Sequence, residues 1–136
     1  MRRALLPICL PLSALALGAC GSTVSTSAFK GSQHEVAQTV ANLQSHATAG
    51  EQKKICGQDL SAALVAKLGG AAGCESAIKK QLAEVDSLEV KVGSVQIAAG
   101  GRRASAKVAS IYEGKSKLST LALVRERGRW RISGLG

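Results

Sequence analysis

From residue 32 to residue 85 the apolar positions of this chain recur at helical spacing, and from residue 88 onward they alternate. That change of period, from 3.6 to 2, divides the sequence into a helical half and a strand half. In the first half Val36, Val40, Leu43 and Ala47 share one stripe that stops at Gly50, and Ser32 followed by Glu35 reads as a capping box at its start. A short helical turn is expected over residues 51–56. Asp59 then stands as the cap of a third helix with the apolar face Leu60, Leu64, Val65 and Leu68, ended by Gly69-Gly70. A fourth helix begins near Cys74 or Glu75, turning Ile78, Leu82 and Val85 inward and Lys79, Lys80 and Glu84 outward.

In the second half Leu88, Val90 and Val92 alternate with Glu89 and Lys91, after which Val95 and Ile97 continue on the opposite parity. A bulge or bend at Gly93 explains the switch, because one extra residue inverts which side chains face the core. Gly100-Gly101 marks a turn, Ala104 to Tyr112 a second strand, Gly114 another turn and Lys117 to Arg125 a third strand; Gly128 turns the chain into Arg129-Trp130-Arg131-Ile132. Short turns between consecutive strands predict an antiparallel meander. Helices segregated to one side of it predict an α+β fold, N-terminal helices packed on a curved four-stranded antiparallel sheet.

The first residues follow neither period. Arg2 and Arg3 precede an apolar run from Ala4 to Ala16 that is interrupted by Pro7 and Pro11 and closes on Leu17-Gly18-Ala19-Cys20. About 20 apolar residues are needed to cross a bilayer, so the run reads as a signal peptide. Small residues ahead of Cys20 fit a peptidase cleft, and the Cys20 thiol can carry a diacylglyceryl group, as in the lipoprotein box of bacterial signal peptidase substrates, which this stretch resembles at all four positions. The expected organisation is a lipoprotein signal peptide over residues 1–19, a lipidated flexible tether over 20–32, and one domain over 33–136. The tether is rich in Gly, Ser and Thr, which cannot bury enough apolar surface to order itself, and reaches roughly 20 Å.

With Cys9 leaving in the signal and Cys20 acylated, Cys56 and Cys74 remain, and in an oxidising compartment they are expected to form a disulfide. No Cys-x-x-Cys motif is present and neither histidine has zinc-ligand spacing to them, so no metal and no cofactor is expected. The chain holds 18 Lys and Arg against 9 Asp and Glu, yet the signs balance between residues 20 and 99. The excess lies in the last three strands, where Arg102, Arg103, Lys115, Lys117, Arg125, Arg127, Arg129 and Arg131 are candidates for contact with an anionic surface such as lipid headgroups or wall polymers. The competing role for such residues is to guard sheet edges. Nucleic acid is a poor partner for an exported domain whose aromatics number one Trp, one Tyr and one Phe.

The helices, the curved amphipathic sheet after them, the short last strand with Trp130-x-Ile132 and the exported cysteine pair together resemble the nuclear transport factor 2-like superfamily, specifically small bacterial lipoproteins, over residues 33–136. A cystatin-like sheet wrapped on helices is the nearest alternative. The resemblance implies a cone-shaped domain that in some relatives holds an isomerase, dehydratase or hydrolase site, or an apolar ligand, between sheet and helices. Catalytic members need an acid or base with a partner in that cavity. Here His34 and His46 lie about 120° apart around the first helix at 100° per residue and read as surface or rim residues, Tyr112 as strand-end packing, and Asp59 as a cap. The expected protein is a lipid-anchored extracytoplasmic lipoprotein of the cell membrane or outer membrane with a non-catalytic interaction domain; the alternative is a small enzyme or ligand binder using the sheet–helix cavity.

Overall fold

Among the described residues four α-helices and a π-helical turn lead into four strands, in the order the periodicity predicts. The computed structural model describes residues 25–85, 89–112 and 114–135, without the side chains of Tyr112 and Leu135. The signal segment, Cys20, Leu88 and the expected packing of the Tyr112 ring lie outside the described residues. Helix α1 spans Gly31–Thr48 and α2 Gln52–Lys54; a π-helical turn occupies Ile55–Asp59, α3 Ala62–Lys67 and α4 Gly70–Ala83. Strands β1 (Glu89–Ile97), β2 (Arg103–Tyr112), β3 (Lys115–Glu126) and β4 (Arg129–Leu135) form an antiparallel sheet in sequence order.

The parity switch at Gly93 is a bulge. Val92 pairs with Val108 and Ser94 with Lys107, so Gly93 is the extra residue and Val90 and Val95 both face inward. A second irregularity, between the Leu123–Ile132 and Ala122–Gly134 pairs, leaves Ser133 extra on β4. Bulges add twist and bend, and the curved sheet closes over α1. Val36 and Val40 from α1, Ile55 and Cys56 from the π-helical turn, and Leu60 and Cys74 meet Ala106, Val108, Leu121, Leu123, Trp130 and Ile132 of the sheet in one core.

The helical half makes hydrogen bonds to both sheet edges. On β1, the Gln44 side-chain oxygen accepts from the Val90 N–H at 2.8 Å and the Gln33 amide donates to the Val95 carbonyl at 3.0 Å. On β4, the Ser61 N–H donates to the Ile132 carbonyl at 2.8 Å, and the Thr39 hydroxyl lies 3.3 Å from that of Trp130. These bonds occupy backbone groups that an open edge would offer to another chain.

Three local expectations are corrected. The N-cap of α1 is Lys30, with no side-chain cap bond, so Ser32 and Glu35 form no capping box; Glu35 is drawn to Arg125 and Trp130 instead. The cap of α3 is Ser61, whose hydroxyl accepts from the Leu64 N–H at 3.2 Å, and Asp59 is buried for another purpose. The tether expected through residue 32 gives way to helix at Gly31, with Phe29 already packed against the core.

Helix α4 starts four residues earlier than Cys74 because Gly69 takes φ +95° and lets the chain reverse directly out of α3. Gly73 makes that reversal close. A Cβ there would fall well inside contact distance of the Leu68 carbonyl oxygen. In an open helix Gly→Ala gains about 1 kcal/mol, but overpacking against fixed backbone costs about 1–3 kcal/mol. Gly73→Ala is therefore expected to destabilise by roughly 1 kcal/mol, read as a lower urea midpoint; a raised midpoint would show that α3 and α4 separate freely.

Candidate functional site

The polar flank of α1 carries His34, Gln38, Asn42 and His46 at i, i+4 spacing, a ridge beside the stripe that enters the core. Gln38 donates to the Asn42 side-chain oxygen at 3.1 Å, and His34 Nδ1 lies 3.1 Å from the Thr26 carbonyl. Facing the ridge are the end of the π-helical turn and the tip of the β3–β4 hairpin. Between them runs a cleft of about 330 Å³ whose walls include Glu35, Gln38, Gln58, Asp59 and Trp130. It lies on the outer flank of α1, whereas the space between α1 and the sheet is filled by Val36, Val40, Ile55 and Leu123.

At the inner end of the cleft His46 Nδ1 approaches Asp59 Oδ2 at 2.7 Å, with Asp59 only 3% exposed. When the Asp59 carboxylate is ionised it can only accept, and the proton of this bond then belongs to His46 Nδ1. The π-helical turn creates this contact: the Leu60 N–H bonds the Ile55 carbonyl, five residues back, and the widened turn aims Asp59 at α1. Burial pushes the Asp59 pKa above the ordinary carboxylate value, and the hydrogen bond with His46, its charge and that of Arg131 only partly offset this. The expectation that His46 is a rim residue is thus corrected, because its ring holds a buried acid.

A histidine oriented by a carboxylate is the base half of a nucleophilic constellation, but the hydroxyls and thiols nearby are committed. Thr39 Oγ1 lies 3.1 Å from the Glu35 carbonyl and 3.3 Å from that of Trp130. Ser61 caps α3, and Cys56 and Cys74 stand at disulfide distance, tying the π-helical turn to α4 across α3. No group of three or more potential metal ligands occurs among the described residues. The pair pins α1 to the segment that closes the β4 edge.

The eight basic residues singled out in the sequence divide into three sets. Arg125 donates to Glu35 at 3.3 Å and lies over the Trp130 ring at 5.5 Å, while the Trp130 indole N–H donates to the same carboxylate. Arg131 donates to the Gly57 carbonyl at 2.8 Å and sits 3.8 Å from Glu126, which in turn receives the Ala62 N–H. These two cations serve the fold. Arg102, Arg103, Arg127 and Arg129 are exposed and gather at one end of the sheet, where the β1–β2 and β3–β4 turns lie together; the Arg125 N–H bonds the Arg102 carbonyl at 2.8 Å. Lys115 and Lys117 begin β3 at the opposite end, since Tyr112 pairs with Lys115 and Arg103 with Val124. The His46–Asp59 and Glu35–Trp130 contacts were missed in the sequence. No spacing signal announces either, because both join separate elements.

No model of a known family matches the chain, and no curated protein matches it. Two solved structures resemble it. One, described as a de novo designed protein with a curved β-sheet, is 18% identical over 48% of this chain and 61% of its own, less than two thirds of its length, with a TM-score of 0.39. The other is a designed protein of the nuclear transport factor 2 type, 14% identical over 76% of this chain and 96% of its own, with a TM-score of 0.50. With its helices packed on a curved, four-stranded antiparallel sheet, the chain has an α+β, nuclear transport factor 2-like fold.

Proposed function

We propose that this protein is a lipid-anchored extracytoplasmic lipoprotein whose folded domain is a non-catalytic interaction module. The observation that carries the reading is the Leu17-Gly18-Ala19-Cys20 box behind Arg2-Arg3 and a short apolar run. The Cys56–Cys74 pair supports it, because such bonds persist in oxidising compartments. No helix among the described residues is long and apolar enough to cross a membrane. The non-catalytic half rests on the filled space between α1 and the sheet and on the lack of a free nucleophile beside His46 among the described residues. The alternative, a small enzyme or apolar-ligand binder, places its site in that interior space.

Energetically the anchor is decisive. Each buried methylene contributes about 0.8 kcal/mol, so two or three acyl chains hold what one chain holds only reversibly. Cells fed an alkyne-tagged fatty acid are expected to label the wild-type chain and recover it in the membrane fraction, while Cys20→Ser abolishes the label. An unlabelled, uncut wild-type chain in the soluble fraction would overturn the proposal.

A further inference from the structure

The N-terminal end of the described chain and the arginines that lack an ion-pair partner occupy the same pole of the domain. Helix α1 runs with its N-terminus toward the β1–β2 and β3–β4 turns: Gln33 bonds Val95 and Glu35 bonds Arg125 near those turns, whereas Gln44 bonds Val90 at the far end of β1. The segment before α1 stays at this end, since the Thr26 carbonyl meets His34 and Phe29 packs on the core. From Ser25 back to Cys20, a fully extended chain spans at most ~18 Å at 3.3–3.6 Å per residue. The ten residues of β2 put the Lys115–Lys117 end roughly 30 Å away at about 3.3 Å per residue. An acyl group on Cys20 would therefore keep Ser25, at the arginine end, within ~18 Å of the bilayer, with the lysine end at the opposite pole of the domain.

The charges at that end are free to act. The carboxylates beside it are already engaged, Glu35 with Arg125 and Glu126 with Arg131, and among the described residues no carboxylate lies within ion-pair distance of Arg102, Arg103, Arg127 or Arg129. Lys30, exposed at the start of α1, adds to the same pole.

Building on acylation at Cys20, we infer that Arg102, Arg103, Arg127 and Arg129 rest on anionic phospholipid headgroups of the leaflet that the anchor enters, so that the domain stands with its two turns down. A basic side chain near such a surface strengthens adsorption about fivefold, within a Debye length of about 8 Å at physiological salt. Four arginines at one pole select one orientation of the domain on that surface.

The test uses the full mature chain, purified from membranes and placed in vesicles of phosphatidylglycerol with phosphatidylcholine, or of phosphatidylcholine alone. Amide hydrogen exchange is read at both turns and at the β2–β3 hairpin, and intact mass reports acylation independently. Exchange at residues 98–103 and 127–129 is expected to slow at least tenfold in the anionic vesicles, and to recover in high salt or in the R102Q/R103Q/R127Q/R129Q variant. K115Q/K117Q is expected to behave as wild type. An acylated mass with equal exchange in both vesicles, or protection confined to the hairpin, overturns the orientation alone. A mass without acyl groups overturns the anchor and the orientation with it.

Discussion

Replacing both Cys56 and Cys74 by alanine is expected to lower the unfolding free energy by about 3 kcal/mol and the melting temperature by roughly 10–20 °C. The bond closes a loop of sequence separation 18, and in the chain-entropy account that constraint on the unfolded state is worth about 3 kcal/mol. The loss matters because the core is built from small side chains. Val36, Ala37, Val40, Ala104, Ala106 and Val108 are buried where larger aromatics would bury more area each, and Trp130 is the one tryptophan of the chain. Against a typical total of about 5–15 kcal/mol, the bridge is a large share. It also crosses α3, which buries no residue fully and depends on its neighbours for position. Denaturant titration of wild type, reduced wild type and the double variant measures the effect. The last two should share a midpoint well below the first; three coincident midpoints would show that the pair adds no constraint.

The strand half was legible because its signals are local and its period is unambiguous. Gly93 sits where the apolar parity inverts, and the register shifts there because both Val90 and Val95 must reach the same core. The meander followed from glycines at each reversal. Asp59 was misread for an equally physical reason: a short acid ahead of an apolar stripe is a good cap, but so is Ser61, and only the fold brings His46 within bonding distance of one of them. Glu35 likewise had a local partner in Ser32 and two remote ones in Arg125 and Trp130. Because the helix starts earlier, with Lys30 as its N-cap, Ser32 lies inside it and the Glu35 carboxylate is left to Arg125 and Trp130. The basic residues of the sheet half read as one pole in the sequence, yet a hairpin sends its two ends to opposite poles, which separated Lys115 and Lys117 from the arginines.

His46→Ala is expected to destabilise the domain by about 2–3 kcal/mol near neutral pH, below the 3–5 kcal/mol typical of breaking a buried pair because the His46 side chain is 17% exposed and admits water. The variant leaves Asp59 buried without its closest partner. Of the influences on its carboxyl, burial, which raises the pKa, remains, while the lowering contributions of the His46 hydrogen bond and charge are lost and only Arg131 persists. A carboxyl whose folded pKa is raised above its unfolded value binds more protons folded than unfolded between the two, so its ionisation removes stability as pH rises through the folded pKa. Losing His46 moves that pKa further up. The difference between wild type and His46→Ala should therefore be largest near neutrality and shrink as the pH is lowered and the buried Asp59 carboxyl takes up its proton. Asp59→Asn in the His46→Ala background removes the buried charge and is expected to restore part of the loss, giving a coupling of about 0.5–3 kcal/mol in a double-mutant cycle. Urea midpoints for the four proteins across that pH range decide it. Strict additivity at every pH would mean that the histidine does not hold the acid, and that α1 and the π-helical turn are joined by apolar packing alone.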